Sequence, residues 1–331
     1  MVAVSLRRAL DFPIYLLLRV VIAVVQAVRI ETCHFACQGL AWLMYDVVKM
    51  RRRLVDDNLA QAFPELSLAA RNDIARGMWV HLLTMVCEIA HAPRKIHSSN
   101  WRKYVKLHRT RDLVRMMLLN RPRVLVTAHF GNFELAGIMS GVLGISTFTV
   151  ARTLDNPYVE NFLVRTRELN WQFILPKNGS ATQADNVLQH NGALALLGDQ
   201  HAGPKGCWVD FFGRPASCHK ALALFTLLSG APMVLLYCKR LGGPLQFELG
   251  LADVADPQAL PPDCTDVKSL TQWYNRVLED EIRKAPEQYW WLHRRWRDPP
   301  KRMQAKLKKQ AAQPSASSLA PAENSARREA A

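Results

Sequence analysis

Short apolar runs alternating with amphipathic stretches between residues 123 and 238 predict an α/β fold, a mostly parallel sheet flanked by helices. Residues 10–28 are almost continuously apolar and, at roughly 20 residues, long enough to span or anchor in a bilayer. After residue 299 the composition shifts to Lys, Ala, Gln, Ser and Pro, too poor in apolar surface to fold. The expected organisation is therefore an N-terminal membrane-anchoring helical region over residues 1–55, a main domain over 56–299 and a basic disordered tail over 300–331.

Taken in order, Arg19 makes the first apolar segment a weak span, because a charge at mid-membrane is expensive unless it snorkels or faces a partner; a tilted or monotopic helix competes. No small-residue cleavage site follows it, which argues for a retained anchor. Residues 33–48 form a second apolar, amphipathic stretch with Trp42 and Tyr45, followed by Lys49, Arg51, Arg52 and Arg53. Aromatics beside a basic cluster suit a headgroup interface, or a solvated helix end, and the positive excess after the first segment favours a cytoplasmic main domain. Residues 56–92 and 101–119 read as amphipathic helices broken at Pro64 and Pro93. Strands are expected at 123–128, 146–151, 171–175, 193–198 and 232–238, and helices at 133–143, 156–169, 180–190 and 219–229. Residues 245–252 read as an antiparallel addition and 266–284 as a long helix.

The formal charge of +15 points to an anionic partner: nucleic acid, an anionic membrane surface or an acidic carrier protein. Nucleic acid is disfavoured, because the basic residues are dispersed and no recognition motif stands out. Seven scattered cysteines without a C-x-x-C pair fit a reducing compartment with no structural zinc and no disulfide framework. G-x-S-x-G, H-E-x-x-H, G-x-x-x-x-G-K-[ST] and G-x-G-x-x-G are all absent, so serine-hydrolase, zincin, P-loop and dinucleotide readings lack their usual anchor.

The candidate chemistry centres on His129-Phe-Gly-Asn-Phe-Glu134. With ten histidines in the chain, about one His-x4-acid match is expected by chance, and His293 to Asp298 is a second. Context separates them. His129 follows a β-branched apolar run, Gly131 supplies a turn, and a helix begins near Glu134, so the histidine sits at the carboxyl end of a strand, where open α/β sheets place their ligand crevice. Across that turn the Glu134 carboxylate is expected to fix the imidazole tautomer of a general base, the alternative being a buried histidine satisfied by a local glutamate. No nucleophilic serine adjoins the pair, which suggests that the substrate brings the attacking group, for example a hydroxyl.

Arg152 with Asn156, and Asp199 with Gln200, follow later strands and converge on the same sheet edge. Arg152 suits a phosphate or carbonyl oxygen with Asp199 orienting it, or the two form a structural salt bridge. Residues 203–215 form a glycine-rich, aromatic loop in which Lys205 and Arg214 suit phosphates and the aromatics an acyl groove. In residues 287–296, Trp290, Trp291 and Trp296 beside Arg294 and Arg295 read as an interfacial anchor, a cation–π stack or core packing.

His129 to Glu134, Arg152 to Tyr158, Gly198-Asp199-Gln200, the 203–215 loop and Pro286 to Trp296 occur in the order of the lipid A biosynthesis late acyltransferases, the lauroyl and myristoyl transferase family, which the chain resembles over roughly residues 10–300. The resemblance implies a glycerolipid-acyltransferase-like fold in an inner-membrane enzyme acting on the cytoplasmic side. Such an enzyme moves a fatty acyl chain from acyl carrier protein, or from coenzyme A, to a hydroxyl of a lipid A precursor. It implies His129 as general base with Glu134 orienting it, makes Arg152 and Asp199 site residues, and requires neither metal nor resident cofactor beyond the carrier-bound thioester. An oxyanion contact from Arg152 is a further expectation. An acidic carrier, an anionic lipid substrate and the membrane are the implied partners. The long basic tail and Phe133, where the family often has tryptophan, depart from the pattern. A different hydroxylated acceptor, such as a phosphatidylinositol mannoside, and a catalytically inactive membrane-attached scaffold are the competing readings.

Overall fold

The computed structural model describes residues 2–177, 179–259, 264–300 and 304, with side chains from residue 8 onward. Residues 1–297 form one unit that includes the N-terminal helices; the second unit, 298–331, is described only at 298–300 and 304. The expected tail therefore lies almost wholly outside the described residues.

The chain opens with helices α1 (Val2–Ala27), α2 (Ile30–Trp42), α3 (Arg52–Ala62) and α4 (Leu68–Lys95). A single π-helical turn, Leu43–Val47, follows α2. Pro64 falls in the α3–α4 break, and Ser67 caps α4 by accepting from the Ala70 N–H. Pro93 is tolerated in the last turn of α4 instead of ending it. Residues 101–119 do not form the expected helix. A 3-10 turn leads into β1 (Val105–His108), Arg109 adopts a left-handed conformation, and α5 occupies only Thr110–Met117. Edge pairing with a strand 142 residues away in sequence overrides the local helical pattern there.

The α/β body follows: β2 (Arg123–Thr127), α6 (Phe133–Val142), β3 (Thr147–Ala151), α7 (Pro157–Glu168), β4 (Gln172–Pro176), α8 (Ser180–Gln189) and β5 (Ala193–Leu197). A hairpin of β6 (Cys207–Phe211) and β7 (Arg214–Cys218) precedes α9 (Ala221–Ser229), β8 (Met233–Arg240), β9 (Phe247–Ala255) and α10 (Val267–Lys284), which Asp266 and Ser269 start with a reciprocal capping box. Seven strands make one sheet in the order β1-β9-β8-β2-β5-β3-β4, and every neighbouring pair is parallel except β8–β9. The antiparallel addition is as expected.

Side-chain alternation divides the core between the sheet faces. Val124 and Val126 of β2 join Met233, Leu235, Tyr274 and Trp291 on one side, whereas Leu125 joins Leu135, Met139, Val234 and Leu249 on the other. Both faces of the central strands are thus buried, which explains their unbroken apolar runs. The parallel strands end together at the edge where β2 gives way to His129 and β5 to Asp199.

The first helix lies against the body by one face. Asn156 donates to the Asp11 carbonyl (2.8 Å), Gln26 to the Ala90 carbonyl (2.7 Å), and the Arg19 guanidinium sits 4.9 Å from the centre of the Phe162 ring. Leu10, Ile14, Leu17, Val21 and Val24 are about half exposed or more on its other faces. Residues 8–27 are long and apolar enough to cross a membrane, with a mean hydropathy of 1.8.

Candidate active site

The turn after β2 is pinned from several directions. Gly131 has φ +59° and its N–H donates to the Gln288 carbonyl (2.9 Å); a Cβ there would collide with the Cys238 carbonyl, so glycine is required for both conformation and space. The Asn132 side chain caps α6 by accepting from the Leu135 N–H (3.0 Å) and donates to Glu88 (3.1 Å). Behind it, Glu88 and Arg240 form a bidentate pair with both contacts at 2.7 Å, and Arg240 also donates to His81 Nδ1 (2.9 Å). A guanidinium has no acceptor, so His81 Nδ1 is the bare nitrogen and Nε2–H donates to the Gly131 carbonyl (3.2 Å). Burial, then the Arg240 charge, pushes His81 down to about 3, which keeps it neutral in that tautomer.

His129 Nδ1–H donates to Asp199 Oδ1 at 2.9 Å. Its Nε2 is met by the Gln200 amide at 3.3 Å, so this nitrogen carries the lone pair. The imidazole stands edge-on to Phe133 and Trp290, with ring centres 5.0 and 5.2 Å away. Burial lowers the His129 pKa, but the charge and hydrogen bond of Asp199, with a smaller contribution from the Glu134 charge, outweigh it and leave the net value raised. Burial likewise opposes ionisation of Asp199, yet the His129 contacts hold its pKa below the ordinary carboxylate value.

Asp199, not Glu134, is therefore the carboxylate hydrogen-bonded to His129. Glu134 accepts instead from Arg167 Nη2 at 2.7 Å, because the first turn of α6 carries its side chain towards α7. Arg152 does not meet Asp199 either; it is 78% exposed and its nearest carboxylate is Asp155 at 3.4 Å. Asn156 is a helix cap, accepting from the Tyr158 and Val159 N–H groups. Gln200 stays at the site.

The 203–215 segment is largely a hairpin rather than a loop, turning at Phe212 and Gly213, both with positive φ, which suits the right-handed twist of its strands. Its aromatics Phe211 and Phe212 pack on Phe63, Trp291 and Trp296, so they fill core instead of flooring a groove. Neither Lys205 nor Arg214 lines the pocket around His129. Trp291 is core, and buried Arg295 donates to the Ser217 carbonyl (2.8 Å) and the Asn275 side chain (3.2 Å).

The pocket around His129 has a volume of about 100 Å³ and is walled by Arg51, Asp199, Gln200, Trp290, Leu292 and His293. The linear pattern gives His293 no strand-end setting and places Arg51 in a basic interfacial cluster, since nothing in it brings positions 51, 129 and 293 together. A second cavity of about 180 Å³ lies between α6 and the sheet, lined mainly by apolar side chains including Leu125, Ala136, Ile145, Val150 and Leu196. Phe133, Glu134 and Arg167 also line it, so Phe133 is a wall shared between this cavity and His129.

Comparison with known proteins adds the family. The bacterial lipid A biosynthesis acyltransferase model matches residues 5–298. The lipid A biosynthesis lauroyltransferase of Escherichia coli (strain K12) is 26% identical over 274 residues, 79% of this chain and 84% of that protein. The palmitoleoyltransferase of the same strain is 26% identical over 258 residues, 76% and 81% of the two chains. Among solved structures, the 1-acyl-sn-glycerophosphate acyltransferase PlsC from Thermotoga maritima aligns over 80% of this chain and 99% of its own, with 12% identity and a TM-score of 0.38. With a family model matched over residues 5–298 of its 331, this chain belongs to the bacterial lipid A biosynthesis acyltransferases.

Proposed function

We propose that the chain transfers a fatty acyl group from the thioester of acyl carrier protein or coenzyme A to a hydroxyl of a lipid A precursor, at the cytoplasmic face of the inner membrane. The observation that carries this reading is a tautomer-fixed His129–Asp199 pair beside a largely apolar cavity, with no serine, threonine or cysteine among the residues lining the pocket around His129. The acceptor hydroxyl replaces the Gln200 amide at Nε2 and gives up its proton there. Its oxygen bonds to the thioester carbonyl carbon, the carbon–sulfur bond breaks, and the imidazolium returns the proton to the departing thiolate. Asp199 orients the ring and stabilises the imidazolium, as a buried acid does behind a general base. No metal or resident cofactor enters these steps.

The cavity under α6 accepts the acyl tail, since an apolar space of this kind in a close-packed interior suits an apolar ligand. Glu134 and Arg167 form a polar collar where the chain enters, and the Glu134 charge assists His129 from there. The exposed apolar faces of α1 and α2 rest in the bilayer, and the positive charge of the chain favours an acidic carrier and a phosphorylated lipid.

The test is transfer of labelled acyl chain from acyl carrier protein or coenzyme A to a phosphorylated lipid A precursor by detergent-solubilised protein, with His129→Ala alongside. Transfer by the wild type and its loss in a folded variant is the expected result. Survival of transfer in the variant overturns the base; absence of transfer from both donors redirects the reading to another acceptor lipid.

A further inference from the structure

One cationic side chain lines the pocket around His129, and it makes no ion pair among the described residues. Arg51 reaches the pocket from the N-terminal end of α3 and makes one hydrogen bond, Nη1–H to the Leu292 carbonyl at 2.9 Å. Among the described residues no carboxylate pairs with it. Its neighbours differ: Arg52 lies 3.7 Å from Asp56 and against the Tyr45 ring, and Arg76 holds Asp46 at 2.9 and 3.0 Å. The carboxylate in the pocket, Asp199, is committed to His129.

The other basic groups of the pocket are neutral imidazoles in the working state. His293 Nε2 accepts from the His201 N–H at 2.9 Å, so that nitrogen is bare. Burial above all pushes His293 down to about 4, and His129 must be unprotonated to act as base. Arg51 is thus the cationic side chain that lines the pocket, while the charge of buried Arg295 reaches Asp199 and His293 from behind it.

The backbone aims Arg51 at some cost. Lys49 and Arg51 both have positive φ, 55° and 50°, a conformation that disfavours side chains with a Cβ and persists where the surrounding structure holds it. The segment before them presents Leu43, Val47, Val48 and Met50, each at least 40% exposed, so the mouth of the pocket adjoins an apolar surface continuous with α2. Arg51 itself is exposed at the rim, where a substrate headgroup arrives, and not buried as a donor to the reacting carbonyl would be.

From this arrangement, and resting on the acyl-transfer reading above, we infer that Arg51 is a phosphate-binding residue at the mouth of the catalytic pocket, reading a phosphate on one of the two substrates by charge-assisted hydrogen bonds. A guanidinium with free N–H groups is shaped for that task, and a lysine reproduces its charge but not its fork.

The experiment compares, within each protein, kcat/KM for paired substrates that differ only in phosphate. One arm uses the phosphorylated lipid A precursor and its phosphatase-treated counterpart as acceptors; the other uses acyl-4′-phosphopantetheine and acyl-pantetheine as donors. Because each ratio is internal to one protein, partial misfolding cancels. Arg51→Gln is expected to reduce the preference for phosphate by about tenfold or more in one arm, with Arg51→Lys between it and the wild type. Collapse in the acceptor arm assigns the phosphate to the lipid, and collapse in the donor arm assigns it to the carrier. Equilibrium binding of the same substrates is measured in parallel. Phosphate-dependent binding that falls in Arg51→Gln, in a protein that transfers nothing, keeps the subsite and removes the proposed reaction. Ratios unchanged in both arms and both readouts overturn the inference.

Discussion

Two carboxylates act on His129 by different means, and their difference has a pH signature. Asp199 is hydrogen-bonded to Nδ1, whereas Glu134 contributes its charge from its pairing with Arg167. Because the His129 pKa is raised above its usual 6.5, the base form is lost as pH falls through a value higher than 6.5, and the acid limb of kcat/KM should have its midpoint there. Asp199→Asn removes the stronger of the two carboxylate effects, so that midpoint moves down; Glu134→Gln should move it down by less. Asp199→Asn also releases the ring to the wrong tautomer, a defect that costs about 10⁴ in turnover in a serine-protease triad. A pH–rate profile of the three proteins checks both, and a larger shift from Glu134→Gln than from Asp199→Asn would contradict the assignment of the orienting acid.

Helix α4 holds the turn after β2 from behind. His81, Thr84, Glu88 and His91 are all buried at spacings of three, four and three, a polar stripe on a helix face that packs inward. Glu88 serves Arg240, Asn132 and the Leu245 N–H together, so the α4–β8 pair and the turn after β2 form one unit. Glu88→Ala leaves a buried guanidinium without its counter-charge, and the expected loss of stability is about 3–5 kcal/mol. Denaturant unfolding of the variant measures it; a loss under about 1 kcal/mol would mean that water or another group replaces the carboxylate. This stripe is legible in the sequence once α4 is recognised, since polar residues at helical spacing within an apolar face must find partners. The partners are not legible, because Arg240 lies more than 150 residues away.

At the scale of the molecule, the sheet edge presents His129 and a mainly apolar space lies under α6; on the proposed reading that space receives the acyl tail and its geometry sets chain length. Ala136 lines that cavity, so Ala136→Phe should shift the product spectrum towards shorter acyl chains, with each methylene excluded costing about 0.8 kcal/mol of burial. Mass spectrometry of products from competing donors reads the shift; an unchanged spectrum would place the tail elsewhere. The first helix bears on the same arrangement. It packs along α4 and α7 while its outer faces stay apolar and exposed, and the aromatic ring beneath Arg19 gives that charge a partner on the body.

The chain by itself determined the α/β class, the order of nearly all helices and strands, the position of His129 at a strand end and the family, because periodicity, turn residues and local motif order are properties of neighbours in sequence. The strand at residues 105–108, the hairpin at 207–218 and the identity of the acid behind His129 were decided by tertiary structure. In each case the deciding partner is remote: β9 pairs with β1, the hairpin packs against α10, and parallel pairing of β2 with β5 delivers Asp199 to an imidazole 70 residues earlier. Glu134, five residues from His129, is nearer along the chain, but the helix that begins between them turns it to Arg167. Sequence proximity sets which groups are available, and the register of the sheet sets which of them meet.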